Sequence, residues 1–315
     1  MHYVVVDLKT ERVGHSIRPF LYLGKSKGIY AFDEFEYKEI EIEDGMKWLQ
    51  SAPDRIRRSR MGHFQVTFVD DDGWPIDYGT AAVALRRHAF PLGVSLQTKR
   101  ASHVSDDDYR WYLTAAIKHF WTGTLAEQLQ WYAYEPAPGD AAAAKREVAD
   151  MLTWAERQGW SPLSAALLDG GHTQKGHWAN KLTCGDLELH LRERLMRDLH
   201  AGSSGFGGRF GRYEVWKDVM TRHKDDWLSR CGDNVLFSAY RWAHMADPAA
   251  LLSTAESDIL TTQTLTNAEA YHNLIWEMAK NKDVPVTAIG VRANFTGEVD
   301  ASTVKHRLDV LQEVG

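Results

Sequence analysis

The chain has 315 residues, of which 44% are hydrophobic and 25% charged, with a formal net charge of −6. This balance is that of an ordinary globular protein, and it excludes wholesale disorder, collagen-like repeats and a membrane bundle. No run of about 18 apolar residues offers a transmembrane helix, and an acidic chain whose densest basic run is Arg55-Ile56-Arg57-Arg58 is not expected to bind nucleic acid or a membrane surface. Cys184 and Cys231 cannot build a disulfide framework, and neither lies in a CxxC pattern. The start, Met1-His2-Tyr3-Val4-Val5-Val6-Asp7, lacks the basic lead and apolar core of a secretory signal, so the sequence reads as cytoplasmic. Twelve Trp, twelve Tyr and eleven Phe make an aromatic-rich chain. Such rings suit the faces of sugars, and equally a large buried core.

Residues 1–87 read as a β-rich region, with strand-like alternation at 3–8, 36–42, 63–69 and 81–85 around the turn Asp70-Asp71-Asp72-Gly73. From residue 88 to 315 the pattern changes to alternating strands and helices. Strands are expected at 88–96, 120–125, 163–168, 213–219, 251–254 and 286–291. Helices are expected at 106–118, with Ser105 as N-cap, and at 141–158, 184–199, 235–246, 267–281 and 302–314. Leu187, Leu191 and Leu195 fall at helical spacing, and Asp247-Pro248 ends the fourth of these helices. The count is about six βα units, hence an α/β fold on a parallel sheet. No glycine-rich loop follows the first strand, which disfavours a dinucleotide-binding fold.

Several segments, in order, resemble glycoside hydrolase family 10, the family of endo-1,4-β-xylanases. They are Arg86-Arg87-His88-Ala89-Phe90-Pro91-Leu92-Gly93, Gln130-Trp131-Tyr132-Ala133-Tyr134-Glu135-Pro136 and Ala149-Asp150-Met151-Leu152-Thr153-Trp154-Ala155. Further along come Gly207-Gly208-Arg209-Phe210, the run from Ala239 to Pro248 (AYRWAHMADP), Ala288-Ile289-Gly290-Val291 and Arg307-Leu308-Asp309-Val310-Leu311. The resemblance covers about residues 50–315. It implies a (β/α)8 TIM-barrel-like fold, here incomplete, with its site at the carboxyl ends of the strands. It also implies two carboxylates, one protonating the glycosidic oxygen and one attacking the anomeric carbon.

The family acid/base stands in a "WDVxNE" segment after the fourth strand. Here the stretch is Trp216-Lys217-Asp218-Val219-Met220-Thr221-Arg222. Thr221 takes the glutamate position, or Arg222 does if Lys217 is an insertion. Neither is a carboxylic acid, and a threonine hydroxyl cannot act as a tuned general acid. The family nucleophile belongs to a seventh unit, which the resemblance does not find before Gly315. Other strand ends also depart from the family. Trp121, Ala126, Glu127 and Gln130 stand at polar positions of the second strand, with Trp131 retained. Ala165 and Asp169 replace the histidine and tryptophan of the third. Ala255-Glu256-Ser257-Asp258 stands for "NDYN" on the fifth, and Arg292-Ala293-Asn294-Phe295 for "QGHF" on the sixth.

The candidate substrate-binding residues are therefore Glu127, Gln130, Trp131, Asp169, Trp178, Glu256, Asp258, Arg292 and Asn294, with Trp178 a candidate sugar-stacking ring. No metal site is expected, since His172, His177 and His223 lack a diagnostic spacing, and no cofactor is implied. The expected function is a xylanase-like protein, catalytically inactive or impaired, that binds xylan-type carbohydrate. The alternative is a hydrolase of β-1,4-xylan-type polysaccharide, or an enzyme with a rebuilt pocket. Six strands do not close an eight-stranded barrel, so the open edges are expected to meet a second copy or a barrel-completing partner, to be covered by the amino-terminal β region, or to stay open.

Overall fold

The structure, a computed structural model, describes residues 45–60, 62, 65–77, 79–84, 90–98, 104–170, 176–202, 205–220, 226–261, 266–281, 283–297 and 299–314. Six strands form one parallel sheet in sequence order. They are β1 (Val94–Ser95), β2 (Gly123–Leu125), β3 (Leu163–Asp169), β4 (Phe210–Lys217), β5 (Leu251–Glu256) and β6 (Ala288–Val291). Among the described residues each strand pairs with the next and none pairs back to β1, so the sheet is a half-barrel with helices. Strands linked in parallel need a crossover, and each crossover here carries a helix. The right-handed crossover rule then sets the helices on one face.

Local chemistry explains where these helices begin and end. In α3 (Asp106–His119) the Ser105 hydroxyl accepts the Asp108 N–H at 3.1 Å. Asp106, Asp107 and Asp108 lie in its first turn, and Lys118 and His119 in its last, each sign matching the helix dipole. In α6 (Cys184–Asp198) Thr183 caps through the Asp186 N–H at 3.2 Å. The α6 face Leu187, Leu191 and Leu195 is fully buried, as is Val148 with Leu152 on α5 (Ala142–Arg157). Burying each such side chain contributes about 1.5–3 kcal/mol. On α8 (Asp233–Ala246), Tyr240 is buried and donates its hydroxyl to the Ser253 carbonyl of β5 at 3.0 Å. Asp247, which follows α8, is buried too. It accepts the Gly208 N–H at 2.9 Å and the Tyr213 hydroxyl at 3.2 Å, tying the approach to β4 to the end of α8.

In the amino-terminal region, where strands are expected, the described residues 45–60 are helical, with α1 (Gly45–Gln50) and α2 (Ala52–Arg60). Pro53 and Asp54 sit in the first turn of α2, where a missing N–H and a negative charge are both favourable. α1 packs against the last helix, α10 (Ala301–Gln312). The expected strands at 3–8 and 36–42 lie outside the described residues. Between 65 and 84 the pairing is a single antiparallel bridge, Val69 to Pro75, around the expected turn. Among the described residues 90–96 of the expected strand at 88–96, Val94–Ser95 form the strand.

Two close approaches shape the upper rim of the sheet. Gly170 directly follows β3, and a Cβ there would lie 2.4 Å from the Asp218 carbonyl oxygen, so only glycine fits. Its N–H donates to the Lys217 carbonyl at 2.9 Å. Asp218 and Asp258, just past β4 and β5, adopt φ of 53° and 58°. Non-glycine residues seldom occupy this left-handed region, and it marks strain held at the strand ends.

Candidate functional site

The carboxyl ends of β2 to β6 bring most of the predicted residues to one rim, but in roles that their sequence positions did not suggest. Asp169 ends β3 and is 5% exposed. Its Oδ2 lies 2.7 Å from the Nζ of Lys217, the last residue of β4. The expected carboxylate of a wet cleft is thus half of a shielded ion pair. The cause is the register, which sets Asp169 directly beside Lys217.

The next carboxylate, Asp218, is held from two sides. Its Oδ1 accepts the Ser257 hydroxyl at 2.7 Å, and its Oδ2 lies 3.3 Å from Arg292 Nη1. Arg292 follows β6, and its own N–H donates to the Glu256 carbonyl at 2.9 Å. Glu256 is 2% exposed. Its carboxylate reaches from β5 to β4, where Oε2 accepts the Met220 N–H at 2.8 Å. Burial pushes the Glu256 carboxyl up to about 7, and the negative charge of Asp218 adds to this. The Met220 and Ser257 N–H groups and the Arg292 charge oppose it. Glu214, half-buried on β4, is also raised by burial, against the pull of Arg292 and Lys217.

Trp131 and Gln130 take other places than expected. Both are fully buried. Trp131 opens α4 (Trp131–Tyr134) and donates its indole N–H to Glu135 Oε2 at 3.1 Å. Its ring meets the edges of Trp178 at 5.5 Å and Trp227 at 5.3 Å, and His177 at 5.6 Å. Arg194 stacks over it at 5.7 Å. Such a ring presents no face to a ligand; it is the hub of an aromatic core beneath the rim. Trp178 is half-buried, with its indole N–H donated to the Glu135 carbonyl at 2.9 Å. His177 is buried on the same carbonyl at 3.0 Å, and burial lowers its basicity.

Glu127, Asp258 and Asn294 are exposed at the ends of β2, β5 and β6. Asp258 accepts the Thr261 hydroxyl at 3.1 Å. Tyr132, beside the buried Trp131, is half-buried, and its phenol is raised by burial and by the charges of Glu127 and Asp169. It is the rim aromatic that the sequence reading overlooked; the signal was its one-residue offset from Trp131 on a helical turn. Thr221, Arg222, His223 and His172 lie outside the described residues. No group of three or more metal-binding side chains is present among the described residues. No described helix is long and apolar enough to cross a membrane.

The two cysteines form one disulfide, Cys184–Cys231, with Cα atoms 5.5 Å apart. It joins the start of α6 to the end of α7 (Trp227–Cys231). Sequence spacing gave no sign of it, because the two residues are 47 positions apart and meet only through the β4 crossover.

Comparison with known proteins agrees with this architecture. The family model for Glycosyl hydrolase family 10 matches residues 89–315. The anti-sigma-I factor RsgI6 of Acetivibrio thermocellus is 25% identical over 269 residues, covering 85% of this chain and 33% of that protein. Endo-1,4-beta-xylanase 1 of Arabidopsis thaliana is 21% identical over 255 residues, covering 81% of this chain and 25% of that one. The chain thus spans a third or less of the length of these two relatives. The intracellular xylanase TsXylA of Thermoanaerobacterium saccharolyticum, solved with xylotriose, superposes with a TM-score of 0.57 at 19% identity, covering 72% of this chain and 70% of that one. With the family model matching well over half its length, and six parallel strands laid out as a half-barrel, the chain belongs to glycosyl hydrolase family 10.

Proposed function

We propose that this domain binds xylan-type polysaccharide and does not hydrolyse it at the rate of an ordinary family enzyme. What carries the reading is the engagement of the buried rim carboxylates by the protein itself. Asp169 is paired with Lys217, Asp218 with Arg292 and Ser257, and Glu256 with the Met220 N–H. Retaining hydrolysis needs an acid and a nucleophile about 5–5.5 Å apart across a sugar, and Thr221 stands where the resemblance puts the acid. The exposed polar rim of Glu127, Asp258 and Asn294, with the half-buried rings of Tyr132 and Trp178, retains groups that recognise sugar hydroxyls and faces. The test is electrophoresis in gels containing soluble xylan, alongside a reducing-sugar assay. Retardation without sugar release is expected; release at ordinary enzymatic rates overturns the reading.

A second reading, hydrolysis by a rebuilt pocket, is favoured by one observation. Glu256 is held near 7, the range in which a general acid works at neutral pH. Loss of any measured activity in Glu256→Gln, with folding retained, would support it. The open edges of β1 and β6 underlie a further part of the proposal, that a second copy or a barrel-completing partner covers them. Mass measurement in solution checks the first of these.

A further inference from the structure

The start of α6, after β3, and the end of α7, after β4, meet on one side of the rim. There Cys184 is bonded to Cys231. Beside the bond, the Trp227 indole N–H donates to Asn180 Oδ1 at 2.8 Å, and Arg230 Nη1 donates to the Asn180 carbonyl at 2.5 Å. Trp227 is 4% exposed and meets the edges of Trp131 at 5.3 Å and Trp216 at 6.2 Å. Trp227 therefore anchors α7 to the aromatic core below the rim. The helix has only five residues and ends at Gly232 with φ of 79°. A helix that short does not hold itself in water, so its place depends on what it is tied to. Both cysteines are half-buried, within reach of a small thiol.

We propose that Cys184–Cys231 is a redox-controlled staple that sets the order of α7 beside the binding rim. In the closed form α7 and Trp227 are held against Asn180 and the start of α6. In the open form α7 is left to non-covalent ties, among them the two hydrogen bonds to Asn180 and the packing of Trp227 and Leu228. The opening step is thiol–disulfide exchange with a dithiol reductant. The Sγ–Sγ bond breaks and two electrons pass from the dithiol, which closes to its own disulfide. Its two protons end on the two cysteine sulfurs. In a compartment kept reducing the staple opens; in an oxidising one it stays closed. The effect on ligand affinity rests on the proposed xylan binding; the staple itself does not.

The test compares three samples by hydrogen exchange with mass detection: oxidised wild type, wild type treated with dithiothreitol, and Cys184→Ser/Cys231→Ser. The expected result is at least tenfold faster exchange over Trp227–Cys231 in the second and third samples, reversed on reoxidation of the wild type. Xylan affinity should fall about tenfold in parallel. Equal exchange in all three samples overturns the staple, as does titration of two free thiols in the untreated protein under denaturing conditions. If exchange responds but the oxidised protein does not retard in xylan gels, the staple stands and the binding proposal falls. Should the double variant fail to fold, reversible reduction of the wild type alone decides the matter.

Discussion

Lys217 Nζ sits 2.7 Å from Asp169 Oδ2, so the lysine between Trp216 and Asp218 in the fourth-strand segment is the ion partner of the residue that ends the third strand. Both side chains are largely shielded, with exposures of 11% and 3%. The pair replaces a large aromatic of the family by two charges that cancel. Breaking one half of such a pair costs more than removing both, because a charge is left in a poorly hydrated place. Lys217→Met is therefore expected to cost about 3 kcal/mol in urea unfolding, at unchanged slope. Asp169→Leu added to it should recover more than half of that loss. Independent, additive losses would show that the pair carries no coupling.

Glu256 gives the rim a pH dependence of defined sign. Its folded-state value near 7 lies above the ordinary 4.5 of a free glutamate, and burial is the main cause. The folded form therefore holds the proton more tightly than the unfolded chain. This contribution to stability is full below pH 4.5 and is lost as pH rises to about 7. The loss is on the order of 3 kcal/mol. Glu256→Gln should flatten this part of the stability profile and leave the protein more stable than wild type at pH 8. A profile of the same shape in the variant would assign the pH dependence to other groups.

Trp131 and Tyr132 are neighbours with opposite duties. Trp131 is fully buried among Trp178, Trp227 and His177, and Trp131→Ala is expected to cost about 3–5 kcal/mol of stability. Tyr132 is half-buried at the rim, and Tyr132→Ala is expected to cost roughly 1 kcal/mol. The same change should weaken xylan retardation at least threefold, with Tyr132→Phe close to wild type. Unaltered retardation in Tyr132→Ala would remove this ring from the binding surface.

Restoring an acid at the family position should not restore hydrolysis. A general acid typically contributes about 10²–10⁴-fold, but it needs a second carboxylate opposite. The candidates at β3, β4 and β5 are already engaged by Lys217, Arg292 and the Met220 N–H. Thr221→Glu is expected to release no more reducing sugar from xylan than wild type. A clear gain in that single variant would mean that one of these carboxylates is available as a nucleophile.

Much of the architecture was legible in the chain itself. Helical spacing of Leu187, Leu191 and Leu195, the caps Ser105 and Thr183, and alternating βα segments are local properties, decided within a few residues. They predict the helix cores and the six strands, with ends displaced by a few residues. The family resemblance, spread over many short segments, located the rim. The amino-terminal helices were missed because a charged run such as Arg55-Ile56-Arg57-Arg58 shows little apolar period, and α1 rests on α10, far away in sequence.

The chemistry of the rim was decided only when the strands lay side by side. Sequence determined which residues stand at the strand ends. Tertiary structure determined which of them face each other. Asp169 finds Lys217 through the β3–β4 register, Asp218 finds Arg292 across β5, and Cys184 finds Cys231 around the β4 crossover. It also placed Trp131, a substrate-binding candidate by motif, in the core and left Tyr132 half-buried at the rim. The reason is physical. Propensity and periodicity act over one or two turns, whereas ion pairing, burial and disulfide formation depend on distances between residues that the chain separates by tens of positions.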